Sequence, residues 1–274
     1  MGITPLERLR AIAAAGESLA PVHSALGTVV DHAEPGHVRA HVPGLPMGEL
    51  RGVGPIPVLA DLVLSGAVST NLPAGAFVTT LTMHVTTLGP LPPAGAPLHA
   101  SGRLISADPD NAVSSAEIDD GAGRTVAVLT SRCAIVGEPS RNDRPAHERR
   151  PVPAPFSVLA LRAGRATADP ATANSGGAVQ GGVLAAVAAH ALDEAIGAVR
   201  SGLAGALCDL EVTFVRGIPA DGAHFTVRAE VLHAGSRFAS ARAELRDGRG
   251  RLAVVASASQ WRGRRDVMIA GTGT

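Results

Sequence analysis

The chain has 274 residues, of which 46% are hydrophobic and 18% are charged, as in a soluble globular protein with room for one large domain or two ordinary ones. Its formal net charge is zero, so no net field favours nucleic acid or a membrane surface as a partner. We find no apolar run of 18 residues and therefore expect no membrane-spanning segment.

The first predicted element is a helix within residues 1–20. Thr4, Pro5 and Glu7 have the spacing of a capping box with proline at the first helical position. An apolar stripe follows and predicts a helix that docks on the rest of the protein: Leu6, Leu9, Ile12 and Ala13. This start is not typical of a signal peptide, so we expect a cytoplasmic protein.

The next elements are a strand hairpin and a buried helix. The turn at Glu34–His37 is followed by alternating apolar and polar residues, which predicts a hairpin. The stretch Gly52–Val68 is apolar on nearly all sides, which predicts a helix in the core, and four strands joined by turns follow it.

The second half repeats this order. Ala116–Arg124 is echoed by Ala243–Arg251 at an offset of 127, and Leu81–Pro90 by Leu210–Pro219 at an offset of 129. Before Leu210–Pro219, the apolar stretch Gln180–Val199 corresponds to Gly52–Val68 of the first half. Three matches in one order predict a fused duplication.

These boundaries predict an N-terminal helix at 1–20 and two domains at 21–137 and 156–262. A linker rich in proline and charge, at 138–155, joins the domains, and a tail follows at 263–274. One long helix and an antiparallel sheet in each half predict an α+β fold in which each sheet wraps a central helix.

Two ten-residue segments carry a resemblance. Gly52–Asp61 and Gln180–Ala189 have the spacing of the pattern His-Gly-Gly, four residues, Leu, one residue, Asp. Together with the layout, this resembles the PaaI-like acyl-CoA thioesterases of the hotdog superfamily, over residues 20–137 and 155–262. The resemblance implies a tandem hotdog fold and hydrolysis of a small or medium acyl-CoA without a cofactor.

The two copies of the pattern have lost different residues. In the family, one domain supplies a glycine N–H and an Asn, and its partner supplies an acid and a hydroxyl. One pairing keeps all of these groups except the pattern's His: Asp61 and Thr80 from the first half, with Asn174, Gln180 and Gly181 from the second. The opposite pairing would combine Pro46 and Val53 with Ala189, so the resemblance implies a single active composite site.

The roles follow from the chemistry of each group. Asp61 would be the general base or the nucleophile, and burial would raise its pKa. The Gly181 N–H at a helix start would hold the developing oxyanion. Gln180 replaces the family His and can only position a partner. Thr80 could orient water, although threonine is also simply a good strand residue.

Substrate-binding residues are predicted from the same resemblance. Gly182 continues the glycine motif. Arg237, in the turn after Gly235-Ser236, and Arg216 could bind CoA phosphates, because lysine is absent from the chain. A further basic cluster could do the same: Arg262, Arg264 and Arg265.

We predict no metal site. His32, His37 and His41 are better explained as a solvated strand face. Cys133 and Cys208 have no metal or disulfide spacing and are expected to be buried, reduced thiols.

Three alternatives stay open. Asp193, one helical turn after Ala189, could restore the second site. The protein could instead be a non-catalytic acyl-CoA-binding or regulatory hotdog protein, or a scaffold that keeps only the fold. A hydratase is disfavoured, because no His follows an Asp at the spacing that activity needs. A homodimer of the fused unit is compatible with the sequence.

Overall fold

A computed structural model gives the fold and describes residues 2–15, 20–44, 53–54, 56–89, 92–93, 95–137, 164–203 and 207–261. Four helices occur in chain order: α1 Pro5–Ala15, α2 Pro21–Leu26, α3 Ile56–Ser69 and α4 Gly181–Val199. The strands are β1 Val29–Glu34, β2 His37–Val42, β3 Phe77–Thr87, β4 Leu98–Ala107, β5 Asn111–Asp119, β6 Thr125–Val136, β7 Arg165–Thr167, β8 Leu207–Phe214, β9 His224–Ala234, β10 Phe238–Arg246 and β11 Leu252–Trp261. Short 3-10 helices lie at Pro170–Thr172 and Ser201–Leu203. The predicted linker, 138–155, and tail, 263–274, lie outside the described residues.

All the strands join one antiparallel sheet, in the order β1-β2-β4-β5-β6-β3-β8-β11-β10-β9-β7. Strands β3 and β8 pair at its middle, where Met83 lies opposite Val212. Outward from this pair, the first half (residues up to 137) runs β6, β5, β4, β2, β1, and the second half (from 164) runs β11, β10, β9, β7. The predicted α+β class is confirmed.

The two long helices form the centre of the molecule. Helix α3 packs against α4 and against strands of the first half, whereas α4 packs against β8 to β11 of the second half. In α3 only Ser65 and Ser69 are partly exposed, because this helix is covered by both the sheet and α4. The predicted helices, 52–68 and 180–199, therefore lie side by side in the core.

Helix α4 corrects one expectation. Its 19 residues have a window of mean hydropathy 1.5, which is long and apolar enough to cross a membrane, so the expectation that no such segment exists is wrong. However, 72% of that window is buried inside the protein, which is typical of a core helix that packs on a sheet.

Two local motifs predicted from the sequence are present. Thr4 and Glu7 form the capping box: the Glu7 N–H donates to Thr4 Oγ1 at 3.2 Å, and the Thr4 N–H donates to Glu7 Oε2 at 2.8 Å. The repeated turns also share their contacts, since Arg124 Nε donates to Asp120 Oδ2 at 2.8 Å and Arg251 Nε donates to Asp247 Oδ2 at 2.8 Å.

The helices approach most closely at Gly182. A methyl group on its Cα would overlap the carbonyl group of Pro57 and the backbone of Val58 in α3, so the contact requires glycine. The residues around this contact, Pro57 and Val58 in α3 and Val183 in α4, are buried, so neither backbone can shift easily.

We therefore expect Gly182→Ala to lower the free energy of unfolding by roughly 3 kcal/mol, at the upper end of overpacking effects. The matched control is Gly217→Ala, where the added methyl group would meet only the Ala178 side chain at 3.5 Å. Urea unfolding of both variants measures the difference. Equal stability of the two variants would contradict the packing described.

Candidate functional site

One of the buried ionisable groups is Asp61, the sixth residue of α3. Its carboxylate belongs to a core helix and is therefore only 7% exposed. Thr80 Oγ1 donates a hydrogen bond to Oδ1 at 3.0 Å, and the Gly182 N–H donates to Oδ2 at 3.4 Å. A buried carboxylate is costly unless it has such partners, and here one partner comes from each half.

Burial changes the acidity of Asp61. Loss of hydration raises its pKa from 3.8 to about 6, and the hydrogen bonds from Thr80 and Gly182 oppose this rise without cancelling it. A carboxylate with a pKa near 6 is still mostly ionised at neutral pH, yet it is a stronger base than an exposed aspartate.

The N-terminus of α4 lies beside this carboxylate. The N–H of Gly182 bonds to Asp61, and those of Val183 and Leu184 bond to the carbonyl oxygen of Gln180. Within the described parts of the chain, no hydrogen bond engages the Gly181 N–H. This donor sits at the positive end of the helix dipole and can donate a hydrogen bond to a ligand oxygen.

The missing side chain of Gly181 leaves room for about one methyl group next to Asp61. A methyl group on its Cα would lie 3.4 Å from Asp61 Oδ2 and 3.6 Å from Phe214 Cε1. A planar carbonyl group placed there would be next to the acid, the free N–H and one aromatic ring. Phe214 was not predicted as a site residue; it lies at the end of β8, where it pairs with Val254 on β11.

Gln180 caps α4 and joins the two helices. Its Oε1 accepts a hydrogen bond from the Val183 N–H at 3.2 Å, and its Nε2 donates to the Val58 carbonyl oxygen at 3.1 Å. The side chain is buried, and both polar ends have partners. Such contacts fit a positioning residue rather than a group that exchanges protons.

Thr80 links Asp61 to a residue that sequence reasoning left out of the site. Thr80 on β3 lies opposite Cys133 on β6, and its hydroxyl also contacts the Cys133 thiol. Burial raises the pKa of this thiol to about 11, and the nearby Asp61 charge acts in the same direction. The thiol is therefore protonated at neutral pH and is not a nucleophile. The sequence could have predicted this position of Cys133 only if the β3–β6 register had been known.

The opposite pairing of half-motifs is different. Ala189 takes the position of the acid and is fully buried. Helix α3 begins at Ile56, so Val53, the counterpart of Gly181, lies in the turn before the helix and presents no helical N–H. Pro46 and Gly52, the remaining members of this half-motif, lie outside the described residues.

Asp193 is buried near this second position. Its Oδ1 accepts a hydrogen bond from Gln260 Nε2 at 2.6 Å. An amide partner on a core strand supports a structural role for this carboxylate, in contrast to the helix N-terminus that faces Asp61.

Comparison with known proteins gives a family match over part of the chain. Residues 169–263, which include Gln180 and Gly181, match the family of the acyl-CoA thioesterase N-terminal domain. This part of the chain is therefore similar to an acyl-CoA thioesterase domain, and the similarity supports a thioesterase-type activity. No curated protein matches the sequence.

Three solved structures resemble this chain over most of its length. A candidate thioesterase II from Thermobifida fusca is 12% identical, with 89% of this chain and 100% of that one covered and a TM-score of 0.60. The tesB protein of Mycobacterium avium subspecies paratuberculosis is 17% identical, with 90% and 100% covered and a TM-score of 0.58. A candidate thioesterase from Novosphingobium aromaticivorans is 15% identical, with 86% and 98% covered and a TM-score of 0.54. At these identities the likeness shows the fold.

Two residues that were predicted to belong to the site form contacts within the protein itself. Asn174 Oδ1 accepts from the N–H groups of Gly176 at 2.9 Å and Ala178 at 3.1 Å, so it shapes its own loop. Gly182 was predicted to bind substrate, but its N–H bonds to Asp61 and its Cα packs on Pro57. Direct contact between Asn174 and the substrate stays a prediction. Direct contact between Gly182 and the substrate is not supported.

The predicted arginines lie at opposite ends of the second half-sheet. Arg216 lies two residues after Phe214, just beyond the end of β8 near the site, and its Nε donates to the Leu252 carbonyl oxygen at 2.8 Å. Arg237 stacks 5.8 Å from the centroid of the Trp261 ring. Trp261 lies seven residues along β11 from the residue that pairs with Phe214, which is roughly 23 Å. Arg216 is therefore the better placed of the two, and the cluster at 262, 264 and 265 lies outside the described residues.

Proposed function

We propose that this thioesterase hydrolyses a small or medium acyl-CoA to the free acid and CoA, without a cofactor, at one composite site per chain. The observation that carries the proposal is the buried Asp61 carboxylate, with a pKa of about 6, beside the free Gly181 N–H of the other half. A base and an oxyanion donor on two sides of one open space are the groups that thioester hydrolysis needs.

The reaction proceeds by general-base catalysis in this proposal. Asp61 takes a proton from a water molecule while the hydroxide oxygen bonds to the thioester carbonyl carbon. The carbonyl oxygen becomes an oxyanion held by the Gly181 N–H, an interaction of about 3 kcal/mol for one good donor. The C–S bond then breaks, and the CoA thiolate takes the proton from Asp61. Thr80 and the Gly182 N–H keep the carboxylate oriented throughout.

We also propose that the fold is a tandem duplication, with hotdog domains at 21–137 and 156–262. The offset of 129 makes Met83 and Val212 equivalent, and these two residues face each other in the β3–β8 pair. An antiparallel pair has a local two-fold axis, so two copies related by that axis would meet in this way. The identical Asp–Arg contacts in the two repeated turns support the same interpretation.

The number of sites per chain tests the proposal. We expect hydrolysis of short or medium acyl-CoAs, followed with a thiol reagent, and calorimetric titration with a non-hydrolysable acyl-CoA analogue should saturate at one molecule per chain. Two equal sites per chain would overturn the single composite site. Binding of the analogue without hydrolysis of any acyl-CoA would favour the non-catalytic binding protein instead.

A further inference from the structure

Three metal-ligating side chains meet on the β1–β2 hairpin, away from the thioesterase site. Donor atoms of His32, Glu34 and His37 all lie within 4.8 Å of one another. His32 Nε2 is 3.5 Å from Glu34 Oε2, and His37 Nδ1 is 3.0 Å from Glu34 Oε1. Glu34 and His37 are paired across the hairpin, and His32 is two residues before Glu34 on the same strand face.

These separations suit a small tetrahedral ion. Zn²⁺ binds imidazole nitrogen and carboxylate oxygen at about 2.0–2.2 Å, so neighbouring ligand atoms in a tetrahedral site are roughly 3.3–3.5 Å apart. His32 and His37 lie at 3.5 Å and 3.0 Å from the two different oxygens of Glu34, so this carboxylate is within reach of both imidazoles. Two imidazoles and one carboxylate favour Zn²⁺ over Mg²⁺, which prefers oxygen ligands in an octahedron.

The β1–β2 hairpin is held in place by contacts of atoms other than the metal-binding ones. His37 is buried, and its second ring nitrogen, Nε2, is 3.0 Å from Ser101 Oγ on β4. An outer partner of this kind fixes the ring and leaves Nδ1 as the metal-binding nitrogen. The turn residue Gly36 donates its N–H to Thr70 Oγ1 at 2.8 Å, which ties the hairpin to the end of α3.

We propose that His32, Glu34 and His37 form a Zn²⁺ site, with solvent completing the coordination because the His32 and Glu34 side chains are 41% and 49% exposed. This replaces the expectation that the histidines form only a solvated strand face. The site is separate from the reaction: Thr70, which anchors the hairpin, lies nine residues after Asp61, roughly 13 Å along the helix direction.

Calorimetric titration of the metal-free full chain with Zn²⁺ tests the site. We expect one Zn²⁺ per chain at this site, no competition by equimolar Mg²⁺, and at least a tenfold loss of affinity in His32→Gln and in Glu34→Gln. Both substitutions are on an exposed strand, so circular dichroism should show an unchanged fold. Ser101→Ala, which keeps all three ligands, should weaken binding about tenfold through loss of the outer partner.

The control is His41→Gln, because His41 belongs to a neighbouring cluster in which its Nδ1 is 2.8 Å from Asp31 Oδ1. This variant should bind Zn²⁺ like the wild type. Absence of Zn²⁺ binding in the wild type would overturn the proposal, as would a loss in His41→Gln equal to that in His32→Gln.

Discussion

Asp61→Asn is expected to lower kcat/KM for the best acyl-CoA about 1,000-fold, because the amide cannot accept a proton from water and general bases contribute effects of this order. The wild-type enzyme should lose kcat/KM as the pH falls below about 6, since protonation of the carboxylate removes the base. Steady-state assays across pH 5–8 measure both effects.

The same substitution should stabilise the fold at neutral pH. The folded pKa of Asp61, about 6, lies above its ordinary value of 3.8, so between these values the folded state binds more protons than the unfolded state. The contribution of Asp61 to stability is therefore fully present below pH about 4 and is lost as the pH rises through 6. At pH 8 the variant should gain up to roughly 3 kcal/mol over the wild type, and much less at pH 4.

Asp193→Asn is the matched control, because Asp193 is also a buried carboxylate on a core helix. It should keep wild-type turnover. If activity were lost in Asp193→Asn and kept in Asp61→Asn, the active site would lie at the other pairing of half-motifs.

Gly181→Val is the second substitution with a large expected effect. The Val side chain would fill the space between Asp61 and Phe214, where a Cβ alone already comes within 3.4–3.6 Å of both. The thioester carbonyl could then no longer reach the free N–H, and displacement of this kind costs 100-fold or more. We expect kcat/KM to fall by about 100- to 1,000-fold, with Gly181→Ala intermediate and thermal stability nearly unchanged.

Val53→Gly makes the mirror-image change in the first half and should leave turnover unaltered, because Ala189 provides no acid there. An increase in activity, or a second equivalent of bound analogue, would show that this position contributes an oxyanion donor after all.

Much of the fold follows from local signals in the sequence. The capping box at Thr4, the apolar helices and the repeated Asp-Gly turns are each specified by residues close together in the chain, so their physics can be read without tertiary information. The repeat offset is also consistent with the order of four strands in each half, β3-β6-β5-β4 and β8-β11-β10-β9.

Details of the site depend on distant pairing and could not be predicted in this way. Which N–H bonds to Asp61 depends on how α4 is rotated against α3, and the close contact at Gly182 sets that rotation. Cys133 reaches Thr80 only through the β3–β6 ladder, which contains a bulge at this point. The proximity of Glu34 to two histidines could be predicted only with knowledge of the hairpin register.

The β3–β8 pair also determines how the enzyme responds to dilution. When two separate chains form such a pair, dissociation competes with assembly, and the fraction of complete sites falls as the protein concentration falls. Here both strands belong to one polypeptide, so each half meets the other at a fixed effective concentration in the range set by a tether. For the proposed composite site, we therefore expect activity per chain not to depend on protein concentration, and we expect the covalent connection to buffer substitutions that weaken the pairing.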